Sequence, residues 1–248
     1  MSQSKYPHLF SPIQIRGKTF KNRILLAPMG IDESGPPGVM SQATVDFYER
    51  VAAGGAARIV GPENDVEFGS AVAGHYWYFI EQPPEELLLN TKKYVDACHR
   101  HGALAFMHFG HMGAYARDIN RLLDLADAMG SPGPGQPLFP PPGEGERPLP
   151  PPEADGMPSM DDILRMLKAS TPRHPDGSPY RAKPIVGPSE LTLHQEYDGV
   201  TSQHNAADSS DGNHIYEMSE TRMNEIADAF AHCARVVKSC GMDGITIH

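Results

Sequence analysis

The chain has 248 residues, and its 21 Lys and Arg against 31 Asp and Glu give a formal charge of −10. That balance argues against a phosphate-backbone binder, which needs a basic face, and an apolar content of 40 % is too high for a disordered polyanion. No signal core appears in Met1–Pro7 and no apolar run approaches ~20 residues, so a cytoplasmic chain with no membrane and no nucleic-acid partner is expected.

The elements follow in chain order. Ile13–Ile15 and Thr19–Lys21 flank Arg16-Gly17-Lys18 as a short hairpin. Ile24–Ala27 is a continuous apolar run stopped by Pro28, the pattern of a strand buried on both faces in a parallel sheet. Ser41 is placed to cap a helix carrying Val45, Tyr48, Val51 and Ala52, which Gly54-Gly55 ends. Ala57–Val60 is the second strand. Glu85–His101 is a helix with Leu88, Thr91, Val95 and Cys98 on one face, ended by Gly102, and Ala103–Met107 is the third strand. Ser219 caps a third helix with Met223, Ile226, Ala227, Phe230, Ala234 and Val237 at helical spacing. Gly241 closes it, and Asp243–Ile247 is the fourth strand.

Two stretches break the alternation. Residues 114–183 contain a proline-rich insertion, with 11 of the 24 prolines between Pro132 and Pro158. Such a stretch cannot donate backbone hydrogen bonds regularly and suits a linker or a surface lid. Residues 190–215 are rich in Asp, Ser, Asn, His and Gly, and are expected to be an irregular loop. The three cysteines lack a C-x-x-C spacing, which argues against a disulfide framework and a zinc ribbon.

Alternating strands and helices, each helix ended by glycine, mean βαβ units and a parallel sheet. At roughly 30 residues per unit, the remaining length accommodates four or five strands rather than eight. The expected architecture is α/β, of (β/α)8 TIM-barrel type with only the first four strands present. Its first and last strands would be open edges, so something pairs with them or the chain belongs to a longer polypeptide.

In parallel barrels, chemistry gathers at the C-terminal ends of strands. Those ends read Ala27-Pro28-Met29-Gly30, Gly61-Pro62-Glu63-Asn64, His108-Phe109-Gly110-His111 and His248. Each has a plain structural reading: Pro28 ends a strand, Glu63 is a solvated acid, and His111 packs in its loop against Tyr115. Polar or special residues at all four ends are less easily dismissed. A metal-dependent hydrolase using His108, His111 and His248 is an alternative, but residues i and i+3 of a strand face opposite ways, which disfavours it. No metal is expected.

The motifs resemble those of the old yellow enzymes, a family of NADH:flavin oxidoreductases and ene-reductases. LFSPIQIRGKTFKNRILLAPMG is similar to the family opening, a bottom hairpin followed by K-N-R and a strand closing in A-P-M. GGAARIVGPENDV is similar to its second strand, HFGHMG to its Q-L-x-H-x-G, and IVGPSE to a stretch ending in G-P-S. YEMSETRMNEIADAFAHCARVVKSCGMDGITIH resembles its E-M-T helix and D-G-V-E-I-H strand. Residues 1–248 then resemble the N-terminal half of an FMN-binding barrel.

The resemblance implies FMN as cofactor and NADH or NADPH as reductant. It implies that Ala27, Pro28 and Met29 lie along one edge of the isoalloxazine. Gly30 falls where relatives place Thr or Cys near the flavin, and Glu63 near the pyrimidine side. His108 stands where most of the family has Gln; a neutral imidazole also donates and accepts, and an imidazolium only donates. His248 matches the first of two residues that hydrogen-bond the substrate oxygen, and is the catalytic candidate. The implied substrate is a small unsaturated carbonyl compound, with a second chain or C-terminal segment completing the barrel. The alternative function is a non-catalytic subunit of a two-chain barrel with a degenerate flavin site.

Overall fold

The computed structural model describes residues 5–29, 40–68, 79–80, 83–113, 120, 124, 178, 181–187, 191–193 and 213–248. The chain divides into two compact units, one of Met1–Arg117 with Pro184–His248 and one of Asp118–Lys183. In the second unit, Asn120 pairs with the backbone of Ala182 in both directions, at 2.8 and 2.9 Å, and Arg181 meets Asp124 at 2.6 Å. The proline-rich stretch Pro132–Pro158 lies outside the described residues.

The first unit opens with a hairpin of β1 (Ile13–Ile15) and β2 (Lys18–Phe20). Ile15 pairs with Lys18, so the turn is Arg16-Gly17 alone and Lys18 begins the second strand. Both turn residues have positive φ, 46° and 80°, which lets the turn follow the strand twist. In the K-N-R that follows, Lys21 and Asn22 fasten the hairpin to the helix ends and Arg23 fastens it to the segment before β1. Lys21 donates to the His101 carbonyl at 2.6 Å, Asn22 donates to the Gly55 carbonyl at 2.8 Å, and Arg23 donates to the Ser11 carbonyl at 3.1 Å. Lys21 thus satisfies a carbonyl at a helix C-terminus, where orphan acceptors collect.

The main sheet has four parallel strands in the order β3 (Leu25–Leu26), β4 (Arg58–Asp65), β5 (Leu104–Gly110) and β9 (Gly244–Ile247). Between them run α1 (Gln42–Ala53), α2 (Glu85–Arg100) and α3 (Glu220–Ser239). Ser41 Oγ accepts from the Thr44 N–H and Ser219 Oγ from the Arg222 N–H, both at 3.1 Å, so both serines are N-caps. Gly55, Gly102 and Gly241 follow the three helices with φ of 105°, 66° and 92°. A side chain at these left-handed positions would be strained.

All three helices pack on one sheet face. Ile59, Ala105, Met107 and Phe109 form a single buried cluster with Val45, Tyr48 and Ala52 of α1, Leu87, Tyr94 and Cys98 of α2, and Cys233 and Val237 of α3. The Tyr94 hydroxyl lies 3.2 Å from the Ile59 carbonyl and 3.0 Å from that of Phe106, stitching α2 to β4 and β5. The three cysteines are free and buried. Burial pushes the Cys98 and Cys233 thiols up to about 12, so they pack as small apolar groups.

The alternate residues Arg58, Phe106, His108, Gly244, Thr246 and His248 face the other way, as the pleat requires. Arg58 lies 4.2 Å from the Phe106 ring centroid and donates to Thr246 Oγ1 at 2.6 Å. Gly244 makes this packing possible, since a Cβ there would lie 2.4 Å from Phe106 Cε1.

Three expectations change. The first strand is not buried on both faces: Leu25 is 52 % exposed, because it pairs with Arg58 and shares its face, away from the helices, and among the described residues β3 has one neighbouring strand. The second strand runs on to Asp65, through the residues assigned to its end. The stretch 190–215 is not irregular throughout. β7 (Leu191–Leu193) pairs antiparallel with β8 (Asn213–Glu217), and β6 (Val186–Gly187) pairs parallel with β8, forming a separate three-stranded sheet. Residues 194–212 lie outside the described residues.

Candidate functional site

The site begins with a proline inside a strand. Pro62 has no N–H for the ladder, and a proline in such a position marks a bulge. In β4, Val60 pairs with Phe106 of β5, but the next pair is Glu63 with His108. The partner strand advances two residues while β4 advances three. Val60 and Glu63 therefore share a face although their spacing is odd. Without the bulge, Glu63 would point at the helices.

His108 sits on the same face of β5. Its register partner on β9 is Thr246, so His248 stands two residues further along, diagonally opposite on that face. The two imidazoles stack with centroids 5.1 Å apart and planes at 26°. Glu63 Oε1 lies 3.1 Å from His248 Nδ1. Backbone bonds hold the corner: His248 N–H donates to the Phe109 carbonyl at 2.8 Å, and His111 N–H to the His248 carbonyl at 3.1 Å. Three adjacent strands thus bring one carboxylate and two imidazoles to the C-terminal edge of the sheet.

Their surroundings differ. The His248 side chain is 61 % exposed and that of Glu63 33 %, whereas residue His108 is 7 % exposed. The buried His108 Nδ1 has no hydrogen-bond partner. Burial holds the His108 pKa below the ordinary imidazole value; Glu63 opposes that shift and His248 adds to it. At neutral pH the ring is therefore uncharged, with one donor and one acceptor nitrogen.

Ala27, Pro28 and Met29 follow β3 at the same end of the sheet and are exposed. Gly30 lies outside the described residues. His111 does not join His108 and His248. Its Nδ1 accepts from the Gly113 N–H at 3.1 Å, and its Nε2 lies 3.4 Å from Glu67 Oε2. The hydrolase built on three histidines therefore loses one of them, since His111 lies past the end of β5 and turns to Gly113 and Glu67. The packing of His111 on Tyr115 falls outside the described residues.

Sequence reasoning missed the group that fixes His111. Arg222, in the first turn of α3, forms a two-pronged ion pair with Glu67, with Nη1 at 2.8 Å from Oε1 and Nη2 on Oε2. Both side chains are nearly buried, at 12 % and 11 % exposure. No local spacing signals this pair, because its members are 155 residues apart in the chain. Asp243, expected in the fourth strand, lies just before β9. It is a hub that accepts from Lys18 at 2.7 Å and from the Ala105 N–H at 3.0 Å, and lies 2.7 Å from His99 Nε2.

The profile of the NADH:flavin oxidoreductase / NADH oxidase family matches residues 8–135. The chain is 27 % identical over 110 residues to N,N-dimethylglycine/sarcosine dehydrogenase of Chromohalobacter salexigens, covering 44 % of this chain and 16 % of that one. It is 30 % identical over 120 residues to 4,4'-dithiodibutanoate disulfide reductase of Rhodococcus erythropolis, covering 48 % and 28 %. Its fold is similar to that of the Old Yellow Enzyme of a Pichia species, with a TM-score of 0.59 at 14 % identity over 97 % of this chain and 45 % of that one. The chain thus spans under a third of the curated relatives and under half of the solved barrel, and its α/β fold is the first part of a TIM barrel. By the match over half its length, the chain belongs to the NADH:flavin oxidoreductase / NADH oxidase family, whose members are FMN flavoproteins reduced by NADH or NADPH.

Proposed function

We propose that this chain forms the N-terminal half of an FMN-dependent oxidoreductase that moves hydride from NADH or NADPH to an activated alkene, such as an enone or an enoyl thioester. The observation that carries this reading is the convergence of Glu63, His108 and His248 at the C-terminal edge of a parallel sheet. The open outer edges of β3 and β9 support the completing half, whether a second chain or a further segment. No other strand among the described residues pairs with them, and Leu25 and Ile247 are 52 % and 68 % exposed. We place the reaction in the cytoplasm, where reduced nicotinamide is available.

The residues fit the cofactor. The buried, unpartnered Nδ1 of His108 calls for a polar ligand atom, and the neutral ring supplies a donor and an acceptor to a heteroaromatic edge. The exposed Ala27-Pro28-Met29 segment offers backbone groups and an apolar surface beside it. FMN held there would supply the hydride-transfer chemistry between the nicotinamide and the alkene.

His248 then meets the charge that develops on the substrate oxygen. The contact of its Nδ1 with Glu63 Oε1 at 3.1 Å fixes the ring, which leaves Nε2 as the nitrogen available to that oxygen. The chain reconstituted with a completing barrel half should oxidise NADH or NADPH in the presence of an enone. His248→Ala should lower kcat/KM by about 10²–10³. An undiminished rate in that variant would contradict the role of His248.

A further inference from the structure

We propose that Glu63, His108 and His248 form a binding site for a borderline divalent transition-metal ion, zinc above all. The inference goes beyond the flavin reading and does not rest on it. One carboxylate oxygen and two ring nitrogens, one from each residue, all lie within 4.8 Å of one another. The Glu63–His248 pair is already at 3.1 Å. Zinc bonds of about 2.0–2.2 Å in a tetrahedron set donor atoms about 3.3 Å apart, so a small closure completes the set.

The groups able to make that closure are the exposed ones, Glu63 and His248. His108 is the fixed member, buried on its strand. The His108 Nδ1 is buried and makes no hydrogen bond, so this imidazole has a ring nitrogen that a metal would satisfy in place of the flavin. The cradle is also shaped for the carboxylate, because a Cβ on Gly110 would fall 2.0 Å from Glu63 Oε1.

Two imidazoles and one carboxylate are a donor set that suits zinc, cobalt or nickel better than calcium or magnesium. With three protein ligands, the exposed side keeps a fourth position for water or a ligand oxygen. A cation held there occupies the place proposed above for the substrate oxygen, so metal and substrate exclude each other.

The test uses the full chain, freed of metal with a chelator and without flavin. Co²⁺ is titrated in, and its visible ligand-field absorption is read. One equivalent should bind with the intense bands of a tetrahedral site, and Zn²⁺ should abolish them. His248→Ala and Glu63→Ala, both at side chains with solvent access, should each weaken binding at least about tenfold while leaving the far-ultraviolet circular dichroism unchanged. His8→Ala, outside the cluster, should bind as the parent does. The absence of bands at saturating Co²⁺, or the same affinity in His248→Ala, would overturn the proposal. Neither result touches the flavin reading, since FMN retention is measured separately by the flavin's own absorption.

Discussion

Gly110 and Glu63 compete for one volume. The Glu63 carboxylate fills the space in which any side chain on Gly110 would begin, with Oε1 2.0 Å from an added Cβ. Gly110 needs no unusual φ, so its role here is room rather than backbone freedom. The bulge at Gly61-Pro62 aims Glu63 inward and Gly110 lets it lie down beside His248.

This predicts the outcome of Gly110→Ala. The flexible carboxylate must swing away, at a cost of about 1 kcal/mol, because the obstacle is a side-chain end rather than backbone. In a Glu63→Ala background the same substitution should cost clearly less. Urea unfolding of the two single variants and the double variant checks this, and strict additivity would show that the two residues do not share space.

Asp243 predicts an acid-sensitive tie at the other end of the sheet. Burial raises its pKa, but hydrogen bonds from Lys18, His99 and the Ala105 N–H outweigh burial and hold it below the ordinary carboxylate range. A depressed folded-state pKa means that the unfolded chain binds more protons in that window. The tie stabilises above the unfolded value of about 3.9 and is lost as pH falls through the folded one. Asp243→Asn should lower stability by roughly 2 kcal/mol at pH 7. Its deficit should shrink below pH ~4, as followed by urea midpoints across pH.

The Arg222–Glu67 pair predicts a different signature. Removing one partner of a nearly buried ion pair leaves the other charge buried without its main partner, at a cost of about 3–5 kcal/mol, which the His111 imidazole 3.4 Å from Glu67 Oε2 partly offsets. Arg222→Met should therefore destabilise the chain by about 3 kcal/mol. Arg222→Met with Glu67→Leu should recover most of that loss, which thermal or urea unfolding measures.

The sequence made legible whatever is written in short-range chemistry. Ser41 and Ser219 announce helix starts, Gly55, Gly102 and Gly241 mark the stops, and the apolar runs mark the four parallel strands. The site was legible as a set of strand ends, because parallel sheets collect chemistry there. The exposure of Leu25 was not, since a run of leucines does not state how many neighbours its strand has. Glu63 was legible as a strand-end residue, but not the one-residue bulge that sets its facing by inverting parity, although Pro62 inside a strand is the signal that reveals it. The short strands β7 and β8 were hidden because they flank a long stretch of Asp, Ser and Asn. Arg222–Glu67 and the Asp243 hub depend on contacts across more than a hundred residues, which no local pattern encodes.

The most direct test of the central claim is flavin retention. The chain is expressed alone and together with a completing C-terminal barrel half, saturated with FMN, passed through gel filtration and read in the flavin visible band. The account predicts near-stoichiometric flavin in the completed barrel, and loss of that flavin when His108→Ala removes the paired donor and acceptor. A folded, completed barrel that emerges colourless would contradict it.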